Sequence, residues 1–419
     1  MLTLLVERPV SGGLTLGRHD GKVVLLSGAI PGERVRARVD RATRQVIFAS
    51  TVEVVDPSPY RRVPFCDPAC GGLALAHITY EHQLTIKAAV LADTFQRLGK
   101  ITLAAPVAVV PSPEMGYRLR ARLHLAGRRW GFFREGTHTL CDAGPTGQLS
   151  LAASAAAGAL VDWLGVSADG CEAITLSENV TGTERAAHLE SRAGHRVASS
   201  NPDLPAGITG VTITRRNRLE ILAGIPRVYD SAAALCGVGV PLPSGVGWYR
   251  SAASFFQGNR VLTGPMLLRV LEYGVGNRVL DLYAGVGLFA VALAARGAEV
   301  IAVEGDPMSG ADLETNARAW QTLEVRCAAV EGGVTDLRAK SQDVVVLDPP
   351  RTGMSPQAVA EVLRLQAARV VYVSCDPATL ARDAKALLAG GYHLGAIEAF
   401  DLFPNTPHIE TLCVFDYEG

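Results

Sequence analysis

Three residues at the ends of apolar runs are of types that do chemistry. Val371-Tyr372-Val373-Ser374-Cys375-Asp376-Pro377 puts a cysteine at the carboxyl end of a buried-looking strand. A cysteine there is commonly a small hydrophobe, but its thiolate is also a nucleophile. A second run, Asp343–Leu347, leads directly into Asp348-Pro349-Pro350-Arg351. The rigid Pro-Pro turn would hold that carboxylate at the strand end, where ligands collect in open α/β sheets, facing the same crevice as Cys375. Glu410, at the entry to the last strand in Pro404-Asn405-Thr406-Pro407-His408-Ile409-Glu410-Thr411, offers a general base. Its plainer reading is a strand-edge acid. His408 is the other base candidate and is read as a structural neighbour. A nucleophilic thiol with a base beside it is the equipment for covalent catalysis.

A nucleotide-type ligand is suggested upstream. Val279–Tyr283 runs into Ala284-Gly285-Val286-Gly287 and then a helix over Leu288–Arg296. Glycines there let backbone amides approach a ligand at a helix N-terminus. Glu304 closes the next strand about 20 residues on, where a carboxylate can take both hydroxyls of a ribose. This pair suits NAD and S-adenosylmethionine equally. The Asp348-Pro349-Pro350 turn has no use in a nicotinamide oxidoreductase and favours the methyl donor. Arg351 after it, where amino-methylating enzymes carry an aromatic, argues against N-methylation. Gln257, in Ser254-Phe255-Phe256-Gln257-Gly258-Asn259, suits a nucleobase or the methionine end of the donor, although a helix N-terminus explains it as blandly.

The elements that must position these residues follow from periodicity. From 246 to 419, apolar runs at Arg278–Tyr283, Glu299–Val303, Asp343–Leu347, Arg369–Ser374 and Thr411–Phe415 alternate with helical segments. Continuous apolar strands mean a parallel sheet covered on both faces, a doubly wound α/β domain. Residues 1–57 give short strands and glycine turns and predict a small β-barrel. Residues 58–245 predict a mixed α+β domain. It holds a helix over Glu81–Leu98 with Leu84, Ala88, Leu91 and Phe95 inward, a hairpin over 117–134, a helix over Ala152–Leu164, and strands within 171–240. The arginines alternating along 117–134 would share one face, either a phosphate-contacting surface or a solvated one.

The chain has 419 residues, with 40 Lys+Arg against 41 Asp+Glu, so any basic surface must be local. Eight cysteines without a secretory start read as reduced thiols of a cytoplasmic protein. No run approaches the roughly 20 apolar residues of a membrane span.

The motifs FFQGN, DLYAGVG, VEGD, LDPPRTG, VSCDPATLARD and PNTPHIETL, in this order over 255–413, resemble those of the RNA uracil-C5 methyltransferases. GRHDGKVV…PGE resembles the TRAM module, an OB-like RNA-binding barrel. CGGLALAHITYEHQLTIK and YRLRARLHLAG…WGFFREGTH resemble the central RNA-binding domain of the branch acting on 23S ribosomal RNA. The resemblance implies a Rossmann-like methyltransferase domain, S-adenosyl-L-methionine as donor, and RNA as partner: ribosomal RNA first, transfer RNA as the alternative. It implies no membrane and no obligate protein partner. Cys375 is implied as the nucleophile that adds to C6 of uracil and makes C5 reactive, and Glu410 as the base that frees the product. Gln257, Tyr283, Gly285, Glu304 and Asp348 are implied at the donor, and Gln257, Asp348 and Arg351 at the base. Leu288 stands where the family often has asparagine, and Glu331 where an acid meets the adenine. A nicotinamide-dependent oxidoreductase is the rival from another class.

That branch usually holds a [4Fe–4S] cluster on four cysteines. Here Cys66 and Cys70 remain, the third position is Leu73, and the fourth is Gly144, with Cys141 nearby. Four thiolates are needed, so no intact cluster and no other metal is expected. Incomplete ligation by Cys66, Cys70 and Cys141, or a Cys66–Cys70 disulfide, is the alternative. Cys171, Cys236, Cys327 and Cys413 are read as structural.

Overall fold

Short alternating strands open the chain because every second residue is apolar. In Arg34–Ala42, Val35 and Ala37 point inward while Arg34, Arg36 and Arg38 face solvent. Five such strands (Leu2–Val10, Leu14–His19, Lys22–Ser27, Arg34–Ala42, Val46–Asp56) close into a barrel, with the fourth pairing back to the first. Asp20 and Gly21 both take positive φ, as the tight hairpin turn between the second and third strands requires. The computed structural model describes all of the chain except residues 193, 194, 196, 198–202, 216, 217, 238 and 419. Parts of the strand region read over 171–240 therefore lie outside the described residues.

A seven-stranded sheet follows, in the order Arg218–Gly224, Gly210–Arg215, Arg185–Ser191, Cys171–Glu178, Arg120–Ala126, Arg129–Phe133, Leu140–Asp142. The hairpin expected over 117–134 is its Arg120–Ala126 and Arg129–Phe133 pair, turning at Gly127 with φ 63°. One face packs the helix Leu151–Leu164 through Ala153, Ala157, Leu160 and Leu164. With its 3-10 extension to Gly170, this segment is long and apolar enough to span a bilayer, contrary to the expectation that no run is. Here it is the core helix of the sheet.

The third sheet has the order Leu323–Cys327, Glu299–Glu304, Arg278–Leu282, Val344–Leu347, Arg369–Ser374, Glu410–Tyr417, Tyr392–Phe400, Val109–Val110. Its first five strands are parallel, and the central Arg278–Leu282, Val344–Leu347 and Arg369–Ser374 are almost wholly buried, as their largely apolar runs require, whereas the edge strand Leu323–Cys327 is half open. Glu410–Tyr417 runs antiparallel to both neighbours. Val109–Val110 adds an edge strand from the middle of the chain.

The helix expected over Glu81–Leu98 spans Tyr80–Thr94 and continues as a wider turn through Gly99. Its buried face differs from the expected one. Leu91 and Phe95 are inside, but Gln83 and Lys87 replace Leu84 and Ala88. Lys87 reaches buried Asp401 at 2.5 Å, and Gln83 bonds both the amide and the side chain of Asn405. Polar residues go inside here because their partners are already buried.

Candidate functional site

The parallel strands all end at one edge of the third sheet, and the chemistry collects there. Leu347 pairs with Leu282 on one side and Tyr372 on the other. Continuing that register sets Asp348 beside Tyr283 and Val373. Cys375 is two residues further along, on the same face because strand side chains alternate. Ser374 is opposite Thr411 in the antiparallel pair, so the next step sets Cys375 against Glu410. Register alone therefore brings Asp348, Cys375 and Glu410 together.

Two loops complete the group. Gln257 donates from Nε2 to Asp348 Oδ2 at 2.9 Å. Asn259 fixes this loop by accepting from the amides of Val261 and Leu262 and donating to Leu402 O and Ser112 Oγ. Arg351 is carried on the turn after Asp348 and lies 3.2 Å (Nη2 to Nε2) from His408. That turn is tied to the helix Pro377–Ala389, which follows Cys375. Thr379 Oγ1 donates to Arg351 O, and the buried Asp383 accepts from Met354 N and Tyr372 Oη. Gly353, at φ 70°, passes so close to Asp383 that a Cβ would sit 2.8 Å from its oxygen.

The electrostatics follow from burial. Asp348 is pushed up to about 7, first by burial and then by the charge of Glu304, while the Gln257 hydrogen bond partly offsets this. Burial and then Asp348 hold Glu410 well above the usual carboxylate range, with Arg351 pulling the other way. Burial, Glu410 and Asp348 push the Cys375 thiol up to about 12. His408 is lowered to about 4 by burial and by the nearby Arg351.

At the neighbouring turn, Tyr283 takes φ 62° and Gly285 φ 58°, and Gly287 caps the helix Leu288–Ala295 at φ 90°. A Cβ on Gly285 would meet nothing within 4 Å, so its backbone borders open space. Glu304 accepts from the amides of Gly285 at 2.7 Å and Asp306 at 2.6 Å. Its carboxylate is thus clamped at the strand end with lone pairs to spare. Leu288 is buried, and Glu331 accepts from Ser355 Oγ at 2.5 Å.

Asp281 escaped the sequence reading because it interrupts an apolar strand between Leu280 and Leu282. It is fully buried and raised well above the usual range by burial and then Asp348. Neither oxygen makes a well-formed hydrogen bond among the described residues, the Ala290 amide giving only partial relief. Four acids thus converge (Asp281, Glu304, Asp348 and Glu410), countered by Arg351. A cationic ligand would relieve the repulsion among these crowded carboxyls.

Beside the crevice, Arg120, Arg122 and His124 line one face of the middle sheet, alternating with buried Ala121 and Leu123, and Arg118 precedes the strand. Arg118 lies over Phe132 and Phe403. Arg122 is paired with Glu190, whereas Arg120 Nε has no partner among the described residues. Of the arginines expected to share a face, Arg120 and Arg122 do, and Glu190 already neutralises Arg122.

The residues at the cysteine motif do not fit a four-thiolate cluster. Leu73 is buried and apolar, and Cys70 is bonded to Cys141, with the Cα atoms 5.8 Å apart. This replaces the Cys66–Cys70 alternative, since Cys66 is a free, half-buried thiol. Cys171 and Cys413 are buried, Cys236 is half-buried, and Cys327 is exposed, so a packing role does not extend to Cys327.

Comparison with known proteins gives concordant results. The family described as tRNA (Uracil-5-)-methyltransferase matches residues 246–416, and the TRAM domain matches residues 1–52. The 23S rRNA (uracil(1939)-C(5))-methyltransferase RlmD of Aeromonas hydrophila is 31% identical over 96% of this chain and 93% of its own. The enzyme of the same name from Alkalilimnicola ehrlichii is 33% identical over 97% and 94%. The crystal structure of Pyrococcus abyssi tRNA (uracil-54, C5)-methyltransferase with S-adenosyl-L-homocysteine superposes with a TM-score of 0.73 at 24% identity. It covers 99% of this chain and 100% of that one, which shows the shared fold.

Proposed function

Because the chain belongs to the TRAM-containing, S-adenosylmethionine-dependent RNA (uracil-C5)-methyltransferases, we propose that it methylates a uridine of 23S ribosomal RNA through a transient bond from Cys375. The observation that carries this is the set of Cys375, Glu410 and Asp348 on one face at one sheet edge.

S-adenosylmethionine supplies, when bound, a methyl group on a positively charged sulfur. The residues present fit it. Open space at Gly285 suits the nucleoside, Glu304, clamped by the Gly285 amide, suits the ribose, and Tyr283 borders the same turn. The buried Asp281, whose oxygens lack a well-formed hydrogen bond among the described residues, and Asp348, held only by Gln257, suit the positive charge.

The rest is work for the chain's own residues. C5 of uracil is a poor nucleophile, and a thiolate adding to C6 makes it reactive. Cys375 is the thiol in reach, and burial first, then the facing Glu410 and Asp348, keep it protonated at rest. Its proton passes to solvent more easily when a cation offsets Asp348 and Glu410, and the same cation favours the ionised Glu410 that the later step needs. Gln257 holds Asp348 in one orientation, and that pair can present a donor and an acceptor to the edge of the base. Arg351 at the mouth can meet the substrate's phosphate or carbonyl oxygens. Glu410 takes the C5 proton, after which the Cys375–C6 bond breaks. A carboxylate made more basic by burial suits removal of a carbon-bound proton. The uridine must leave its stack to reach this depth, and the arginine face with the barrel supplies the backbone grip.

The experiment is transfer of labelled methyl to 23S ribosomal RNA and, separately, to transfer RNA, followed by nucleoside analysis. The expected product is 5-methyluridine in the ribosomal RNA and none with Cys375→Ala. Label confined to transfer RNA would move the substrate assignment, and label on another atom would end the mechanism.

A further inference from the structure

The Cys70–Cys141 bond joins residues 71 apart, and what it holds is connected to the catalytic edge. Cys70 lies in a segment, residues 66–79, that has turns and isolated bridges rather than helix or strand. The first half of this segment is fastened to the middle sheet. Gly71 N donates to Phe133 O at 3.0 Å, Glu135 N to Ala69 O at 2.9 Å, and Gln148 Nε2 to Gly71 O at 3.0 Å.

The second half grips the loop before Glu410. Leu75 N donates to Asn405 O at 2.8 Å, and Gln83 Nε2 bonds Leu75 O, Ile78 O and Asn405 Oδ1. Arg62 bonds Ala76 O and Asn405 Oδ1. Asn405 is held at φ 65°, a conformation that its side chain tolerates and these contacts enforce. His408 follows three residues later and Glu410 five. The disulfide therefore fixes the near end of a strap whose far end shapes the base-bearing loop.

We propose that Cys70 and Cys141 are a reversible thiol–disulfide site whose oxidation state sets how firmly this strap holds the Asn405–Glu410 loop. The exchange partner is a small dithiol or disulfide. Cys141 is half-buried and Cys70 is sealed, so an incoming thiolate attacks Cys141 Sγ and Cys70 leaves as a thiolate that takes up a proton. The partner's second thiol then displaces Cys141 and closes the partner's own disulfide. Two electrons and two protons pass to the protein, and the reverse exchange restores the staple. Cys66 is a free thiol in the same neighbourhood and serves as an internal control.

The proposal rests on the reading of Glu410 as catalytic, so its test has a readout that does not. The full-length protein is reduced with dithiothreitol, and the two new thiols are verified by alkylation and mass. Amide exchange is then followed at residues 405–411. The expected result is at least fivefold faster exchange there, reversed by oxidised glutathione. Cys70→Ser with Cys141→Ser should copy the reduced form and ignore the reductant, while Cys66→Ser behaves as the parent. Unchanged exchange after verified reduction would overturn the proposal, as would a response that persists in the double variant. Methyl transfer measured alongside should fall in kcat with little change in KM for the donor. If exchange quickens while transfer holds, the staple stands and the catalytic reading of this loop falls.

Discussion

Replacing Asp348 by asparagine removes a buried charge while leaving an oxygen to accept from Gln257 Nε2, now 2.9 Å away. An ordinary aspartate titrates at 3.8, and this one is pushed up to about 7. Well below pH 3.8 both folded and unfolded chains carry a neutral carboxyl, and the folded state suffers no penalty. As the pH rises, the unfolded chain ionises first, and the folded protein loses stability until its own group has ionised. The gap of roughly three pH units corresponds to about 4 kcal/mol at pH 8, an order-of-magnitude figure. Asp348→Asn escapes that loss. Its thermal or urea midpoint should therefore exceed the parent's at pH 8, and the advantage should shrink steadily toward pH 4. Methyl transfer should fall severely at the same time, because the variant keeps the hydrogen bond but loses the charge. A stability difference that does not change with pH would refute the reasoning, and so would a variant less stable than the parent at pH 8.

His408 is held down at about 4, so it stays neutral from pH 5 to 8 and cannot supply the titration of a general base. His408→Gln should leave the pH profile of kcat/KM in that range unchanged in shape; disappearance of a limb would return the base role to His408. Lys87→Met would strand buried Asp401 without its counter-ion and should cost about 3–5 kcal/mol of stability. Adding Asp401→Leu should recover most of that in the unfolding midpoint, and a single variant as stable as the parent would refute the pairing.

Much of the candidate site could be placed from sequence because a parallel sheet writes itself as largely apolar runs, and their carboxyl ends are where ligands gather. Cys375, Asp348, Glu304 and the Gly285 turn could be read that way. Asp281 could not, since one aspartate inside an apolar strand carries no periodic signal and its meaning lies in the acids around it. The inner face of Tyr80–Thr94 was misread for a related reason. Lys87 and Gln83 are buried by partners more than 300 residues away, which helical periodicity cannot see. Chain spacing likewise does not reveal which cysteines meet. Cys70 and Cys141 come together only because the 66–79 segment lies along the edge of the middle sheet.

The most direct test is to trap the bond itself. Glu410→Gln should still add Cys375 to the uracil ring but be unable to remove the C5 proton. A denaturing gel with uridine-containing RNA and S-adenosylmethionine should therefore show a covalent protein–RNA band that accumulates, and Cys375→Ala should show none. A band that survives in Cys375→Ala, or none at all in Glu410→Gln while the parent methylates the same RNA, would contradict the account.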